Sequence, residues 1–174
     1  MIFKNNYQNF GLWILDFGLI IMCAGITFFL DKIDETELSR FLTKEEFLKQ
    51  KKGRMLESFY WQKRPFLPVL EDGEVHLLDW GNREAEMKMP KTGWAKLESV
   101  RDGLWDYLHP KQVIIPSLQG YEKRKWFKTP EGIKGIRVRY HNIMRVYLLT
   151  TKADQNFIKY TGHDRMPVGK ISYL

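Results

Sequence analysis

The chain has 174 residues, of which 44% are apolar and 14% aromatic. This composition is typical of a folded chain with enough length to bury one core, and it excludes a disordered polypeptide. One cysteine excludes an internal disulfide and a cysteine-rich zinc site, and the four histidines are scattered, so we predict neither a metal nor a cofactor. The net charge of +7 favours a polyanionic partner, either nucleic acid or an anionic membrane surface.

A long apolar stretch opens the chain. Phe10 to Leu30 is apolar except for Asp16 and Thr27, and it is long enough to span a bilayer as a helix. Asp16 opposes both a membrane span and a signal peptide, because a carboxylate is costly inside hydrocarbon.

We favour an interpretation in which residues 1–21 are an upstream segment, either preceding the true start or removed, and residues 22–174 form the functional domain. Ala24–Leu30 then becomes the first strand, since it is rich in Ile, Thr and Phe. If translation begins at Met22 and that methionine is removed, Cys23 carries a free α-amine beside its thiol. Such a 1,2-aminothiol has chemistry that a mid-chain cysteine lacks.

The remaining chain predicts short elements. Asp34 is a plausible N-cap for a helix, and Thr43–Glu46 is a capping box that begins a second one. Asp72-Gly73, between two apolar runs, predicts a hairpin. Strands are predicted at Val75–Trp80, Trp94–Val100, Val113–Pro116, Ile133–Arg139 and Arg145–Thr151, an irregular loop at Glu84–Lys91, and short helices at Trp105–His109 and Ala153–Tyr160. The fold class is therefore α+β: a single domain built on a curved, mostly antiparallel, barrel-like β-sheet with a few short helices.

Two further residues are singled out by their sequence context, and for one of them that context suits proton transfer. His163 follows Gly162 in a segment that ends at Pro167, and a histidine held in a rigid loop suits proton transfer near neutral pH. Glu122 lies beside a basic run, where a surface ion pair is the simpler interpretation.

The segment His163–Val168 resembles the signature of the SOS response-associated peptidase (SRAP) family, the proteins that crosslink to abasic sites. Further stretches resemble the family in the same order: Met22-Cys23, Trp80-Gly81, Ala95–Val100 with Glu98, and Ile114–Pro116 with Gly120–Glu122. The resemblance covers roughly residues 22–170.

The resemblance implies a function. Cys23 would form a thiazolidine crosslink with the aldehyde of abasic sites in single-stranded DNA, as part of the DNA damage response. Glu122 and His163 would handle protons, and Arg165 would contact a phosphate. The resemblance also implies thiol-dependent, self-processing peptidase activity. We expect a cytoplasmic monomer, associated with the nucleoid when bound to DNA, and no stable membrane association.

The chain departs from the family at three places, one of which is a shortened loop after the strand that ends at Trp80-Gly81. The family continues its start with Gly-Arg-Phe, whereas this chain has Ala24-Gly25-Ile26. The family's pocket asparagine aligns with Trp94, so Asn82 is our candidate replacement.

Single-stranded DNA would be bound by cations that track phosphates and by aromatic rings that stack on bases. For each tryptophan, core packing is the alternative. The candidates are Arg83, Lys96, Lys123, Arg124 and Arg165, with Trp80 and Trp94 as stacking platforms. Two other functions stay open: a non-catalytic nucleic-acid-binding module on the same fold, and a membrane-anchored basic domain.

Overall fold

The computed structural model describes residues 23–51 and 54–174, which form two β-sheets with a few short helices around them. This confirms the α+β class. The strands are β1 (Gly25–Phe29), β2 (Met55–Phe59), β3 (Phe66–Glu71), β4 (Glu74–Asp79), β5 (Trp94–Lys96), β6 (Lys111–Ile115), β7 (Gln119–Glu122), β8 (Lys125–Lys128), β9 (Ile133–Tyr140), β10 (Ile143–Lys152), β11 (Arg165–Pro167) and β12 (Ser172–Tyr173). The helices are α1 (Glu35–Leu38), α2 (Lys44–Lys51), α3 (Leu97–Arg101) and α4 (Gln155–Thr161), with 3-10 turns at Leu30–Lys32 and Asp106–Leu108.

The smaller sheet has five strands in the order β12-β8-β7-β1-β2. The larger has seven: six run in the order β11-β10-β9-β6-β3-β4, and β5 pairs with β10 in parallel. The curved sheet that we predicted is thus two sheets, and within residues 23–51 and 54–174 neither closes into a barrel.

The predicted first strand is confirmed. β1 lies inside the smaller sheet, with β2 and β7 antiparallel on either side of it. A continuous helix from Phe10 to Leu30 is therefore not formed, because its last third is strand; residues 10–22 lie outside the described residues. No helix in the described part of the chain has the length and apolarity to cross a membrane.

Local signals placed several elements correctly. Asp34 caps α1 by accepting the N–H of Thr36 at 2.6 Å. Thr43 and Glu46 form the capping box: the N–H of Thr43 donates to the Glu46 carboxylate at 2.7 Å, and the N–H of Glu46 donates to the Thr43 hydroxyl at 3.2 Å. Asp72 and Gly73 turn the β3–β4 hairpin with positive φ at both residues, as a type I′ turn requires.

The strand predicted at Trp94–Val100 is wrong beyond Lys96. The chain turns there into α3, whose first turn holds Glu98 and whose Ser99 hydroxyl donates to the carbonyl of Lys96. An acid near a helix N-terminus and a serine that bonds back to the preceding turn both favour helix over strand.

The core lies between the sheets and is built from large apolar side chains. Phe28 from the smaller sheet meets Phe66 from the larger one edge to face at 6.1 Å, and Phe127 meets Phe157 of α4 at 5.4 Å. All four are at most 1% exposed. Burying each contributes roughly 1.5–3 kcal/mol, and this packing holds β1 and β7 side by side.

Candidate active site at the start of the first strand

Cys23 lies just before β1, next to the end of β7. The register pairs Gly25 with Tyr121, so the chain before Gly25 runs beside the residue after Tyr121, which is Glu122. The backbone N–H of Cys23 donates a hydrogen bond to the Glu122 carboxylate. The structure therefore brings together two of the three predicted catalytic residues, which are 99 positions apart in the chain.

The thiol occupies a space left by a glycine. Cys23 is 1% exposed, and its Sγ lies 3.7 Å from the carbonyl oxygen of Gly25. A Cβ at Gly120 would lie 3.2 Å from that Sγ and 2.4 Å from the ring of Phe127. Only glycine at this position lets the thiol and the Phe127 ring pack against β7 together.

The backbone at Cys23 is strained. Its φ is 40°, in the left-handed region that a side chain with a Cβ rarely adopts. A residue held in this region costs on the order of 1–3 kcal/mol, and such residues cluster at functional sites.

The two groups have shifted pKa values. Burial, and then the Glu122 charge, raise the pKa of the Cys23 thiol far above its usual range, so the thiol is protonated at neutral pH. Burial raises the pKa of Glu122 from 4.5 to about 7, against the opposing effects of the Cys23 N–H and the Lys123 charge. Near neutral pH, Glu122 is thus able both to give and to take a proton at the Cys23 nitrogen.

This shift makes a stability prediction. Below about pH 4.5 Glu122 is protonated in both the folded and the unfolded protein. Between pH 4.5 and about 7 its carboxyl group is ionised in the unfolded protein but stays mostly protonated in the folded one. Glu122 therefore costs stability progressively as pH rises through this window, by about 3 kcal/mol at the top of it. We expect the free energy of unfolding of Glu122→Gln, relative to wild type, to rise by an amount of that order between about pH 4.5 and about pH 8. Urea denaturation at the two pH values measures the difference, and an unchanged difference would contradict the shift.

His163 follows α4, which ends at Gly162 in the left-handed conformation. It is 4% exposed, and its Nδ1 accepts the N–H of Arg165 at 3.0 Å. Burial, and then the charge of Lys123, lower the pKa of His163, so its neutral form prevails at neutral pH. Since Nδ1 accepts, the proton is assigned to Nε2, and the 3.3 Å approach of Asp164 to Nδ1 is not an ion pair in this state.

Lys123 connects the histidine to the other two residues. It follows Glu122, and its ammonium donates to the carbonyl of Gly162 at 2.8 Å. Its charge lowers the pKa of both Glu122 and His163. Among the described residues no hydrogen bond joins His163 directly to Cys23 or Glu122. The link between them is Lys123, which follows Glu122 and donates to the residue before His163.

The side chain of Arg165 is largely buried. Its guanidinium donates to both Glu98 oxygens, at 3.0 and 2.8 Å, and to the carbonyl of Thr150 at 2.8 Å. The ion pair lowers the pKa of Glu98 to about 2. A phosphate that bound Arg165 would have to share the guanidinium with the Glu98 carboxylate. The predicted contact between Arg165 and a DNA phosphate therefore stays a prediction.

The structure corrects the role expected of Asn82. This side chain is buried, and its amide donates to the carbonyls of Glu84 and Met89 while its oxygen accepts the N–H of Glu84. All of its polar atoms thus organise its own loop. It has no group left to replace the family's pocket asparagine.

The two tryptophans predicted as stacking platforms are core residues in this structure. Trp80 and Trp94 are 1% and 6% exposed and pack against Tyr60, with ring centroids 5.4 and 4.6 Å from it. Neither has an open face for a base. The indole N–H of Trp94 is buried and has no hydrogen-bond partner among the described residues.

Of the predicted phosphate contacts, Arg83 and Lys96 are exposed. Arg83 lies 4.5 Å over the ring of Tyr60 and donates to the carbonyl of Gln62. Tyr60 in turn donates its N–H to the carbonyl of Ala24, so Arg83 is positioned close to the start of β1.

Sequence reasoning missed a set of aromatic residues on the outer face of the smaller sheet. Four rings contact one another there, and we call them the aromatic row: Phe59, Trp61, Tyr121 and Trp126. The alternation of apolar and charged residues from Tyr121 to Lys128 was the available signal, because it predicts a two-sided hairpin.

Comparison with known proteins supports the fold. No family model matches the chain, and no curated protein matches it. A crystal structure of a protein from Bacteroides thetaiotaomicron superimposes with a TM-score of 0.56, covering 83% of this chain and 75% of that one at 15% sequence identity. At this identity the likeness shows a shared fold and leaves the activity to be argued from the site.

Proposed function

We propose that this protein, with Cys23 as its N-terminal residue, forms a thiazolidine crosslink with abasic sites in single-stranded DNA. The observation that carries the proposal is the hydrogen bond from the Cys23 nitrogen to Glu122. It puts a buried carboxyl group with a pKa of about 7 on the one nitrogen that this chemistry requires. The resemblance of the sequence motifs to the family agrees with it.

The proposed reaction takes place at two atoms of one residue. The neutral α-amine of Cys23 attacks the aldehyde of the ring-opened abasic sugar, and loss of water gives an imine. The Cys23 sulfur then adds to the imine carbon while its proton passes to the nitrogen, which closes a five-membered ring. The net reaction joins aminothiol and aldehyde with release of one water. Because both nucleophiles are held on one carbon, the second step is intramolecular.

Glu122 supplies the proton transfers at the nitrogen. As an acid it protonates the departing hydroxyl of the carbinolamine, and as a base it takes a proton from the amine. The pKa of Glu122 is about 7 with the Cys23 nitrogen in amide linkage. A neutral amine likewise places no charge beside the carboxyl group, so Glu122 suits both roles near neutral pH. His163, neutral with its proton on Nε2, is the proposed hydrogen-bond donor to the sugar.

The same residues support release of the upstream segment. The Cys23 thiol adds to the carbonyl carbon of Met22 as its proton passes to Glu122, and the C–N bond breaks as Glu122 gives a proton to the leaving nitrogen. Water then hydrolyses the thioester, which frees the thiol and leaves the α-amine of Cys23 available. The left-handed φ of Cys23 favours this cleavage, because it relieves backbone strain.

A crosslinking assay with two chains tests the proposal. One chain is the full sequence, and the other starts at Met22 so that removal of methionine exposes Cys23. Each is incubated with single-stranded DNA that carries one abasic site, and denaturing gels and intact mass reveal the adduct. We expect an adduct whose mass equals protein plus DNA minus one water, formed by every chain that begins at Cys23. If chains with a verified Cys23 terminus form no adduct, the proposal is wrong.

A non-catalytic nucleic-acid-binding module is the second candidate, favoured by Trp94 in place of the asparagine. In that case the protein would bind intact and abasic strands equally and form no covalent product.

A further inference from the structure

The aromatic row crosses the smaller sheet at the end next to the candidate site. Register pairs Phe59 with Gly25, Gly25 with Tyr121, and Tyr121 with Trp126, so these residues share one face of four adjacent strands. Residues paired in this way point to the same side of a sheet. Glu122 and Gly120 alternate with Tyr121 and face the core.

Gly25 gives the row its continuity. A Cβ at Gly25 would lie 2.3 Å from the Phe59 ring, so that ring lies over the glycine and reaches toward Tyr121. The Phe59 and Tyr121 rings are 5.7 Å apart, and Tyr121 and Trp126 are 4.8 Å apart. Trp61 stacks on Phe59 at 4.5 Å and 21° and is 55% exposed. Phe59, Tyr121 and Trp126 are half-buried. One exposed and three half-buried aromatic rings packed on one another on the outer face of a sheet indicate a binding site.

Cations surround the row. Lys123 and Arg124 form the exposed turn directly after Tyr121, Lys63 follows Trp61 by two residues, and Lys128 shares the face of Trp126. Within the described residues, no ion pair involves Lys63, Arg124 or Lys128. The next row of the same face holds Glu57 and Gln119 on either side of Thr27. Cations beside stacked rings complement a strand whose phosphates alternate with bases.

The turn itself is strained. Lys123 and Arg124 have φ of 42° and 67°, the left-handed values that a two-residue hairpin turn demands and that Asn-Gly satisfies best. Lysine and arginine therefore place two cations in this turn at the cost of backbone strain.

We propose that the aromatic row is a stacking surface for the bases of single-stranded DNA, and that the turn at Lys123 and Arg124 holds the phosphates of the same strand. The choice of DNA rests on the proposed function, because Tyr121 of the row directly precedes Glu122 and pairs with Gly25, two residues after Cys23. Duplex DNA does not fit this surface, since its bases have no free faces to offer the rings.

The test measures binding of the full chain to an intact oligothymidylate, which has no aldehyde and cannot crosslink. We expect Trp61→Ala to weaken binding by about tenfold, the usual effect of removing one stacking ring. Trp61→Phe should restore most of it. Tyr107→Ala is the matched control, because Tyr107 is 56% exposed, lies outside the row, and should leave binding unchanged. An unaltered affinity in Trp61→Ala would overturn the proposal, and so would a preference of the wild type for duplex.

Arg124→Gly is a second variant, chosen because it should fold at least as stably as the wild type. Glycine fits φ of 67° better than arginine, so we expect an equal or higher melting temperature. Binding should nevertheless weaken, and the slope of log affinity against log salt should fall by about 0.7, as for the loss of one phosphate contact on a single strand. An unchanged slope would remove the turn from the binding surface.

The outcomes separate this proposal from the proposed function. If the wild type crosslinks abasic DNA and Trp61→Ala binds intact strands with wild-type affinity, the stacking role of the aromatic row is wrong and the proposed function stands. If no adduct forms but Trp61→Ala loses binding, the row stands and the function is wrong. A dimer that is lost in Trp61→Ala while DNA affinity is kept would assign the row to a second copy of the chain and overturn the proposal.

Discussion

Cys23→Ala is expected to abolish the stable adduct with abasic single-stranded DNA. Alanine at the N-terminus keeps the α-amine, so an imine still forms, but no sulfur is present to close the ring. The imine reverts in water, and the adduct should therefore appear only after reduction with borohydride. Denaturing gels with and without reductant measure this difference.

Cys23→Ser is the matched control for the chemistry of the ring. A hydroxyl is close in size to the thiol and also fits beside Gly120, but it closes on the imine less favourably, so its adduct should be weaker than that of the wild type and should not survive denaturation. A stable adduct with alanine at position 23 would contradict the proposal, because another nucleophile would then be at work. Full-length Cys23→Ala should also keep its upstream residues if self-processing depends on the sulfur, and intact mass distinguishes the two chain lengths.

Glu122→Gln is expected to slow crosslinking by about 10²–10³-fold, within the range for loss of a general acid–base. The glutamine oxygen is still able to accept a hydrogen bond from the Cys23 nitrogen, so the site keeps its shape while the proton transfer is lost. The wild-type rate should change across the pH range around 7, where Glu122 changes its protonation state, and the variant should lack that feature. Single-turnover rates across this range measure both effects.

The expected sign follows from the acid role. When expulsion of water limits the rate, the protonated carboxyl is the active form, so the contribution of Glu122 falls as pH rises above about 7. The amine gains neutral form up to its own pKa of about 8, which opposes this fall. Glu131→Gln is the control, because Glu131 is an exposed carboxylate paired with Lys170 and should leave the rate unchanged. If Glu122→Gln crosslinks at the wild-type rate, Glu122 does not transfer protons in the reaction.

Much of the architecture was readable because its causes are local. The caps at Asp34 and Thr43 and the turn at Asp72-Gly73 depend on side chains within three residues of one another. β1 was predicted correctly from its composition alone. The division of the curved, barrel-like sheet into two sheets was not predicted, because it depends on how distant strands pair, and no local pattern encodes that.

The site was predicted in part. Cys23, Glu122 and His163 were named from sequence motifs, and the structure places Cys23 and Glu122 in direct contact. Asn82 and the two tryptophans failed as predictions for one reason: a residue's type says what it is able to bind, whereas its burial decides whether anything reaches it. Trp61 and Tyr121 were overlooked for the converse reason, since only the sheet brings them together on one surface.

The sequence by itself determined the α+β class, the short capped helices, the hairpins and the identity of the sole thiol. These follow from backbone preferences and side-chain chemistry within a few residues. Tertiary structure alone decided that the Cys23 nitrogen lies on Glu122, that burial moves the pKa of that carboxyl to about 7, and that four aromatic rings share one outer face. Each of these depends on residues far apart in the chain. They come into contact with one another, and are removed from water, only when the sheets form.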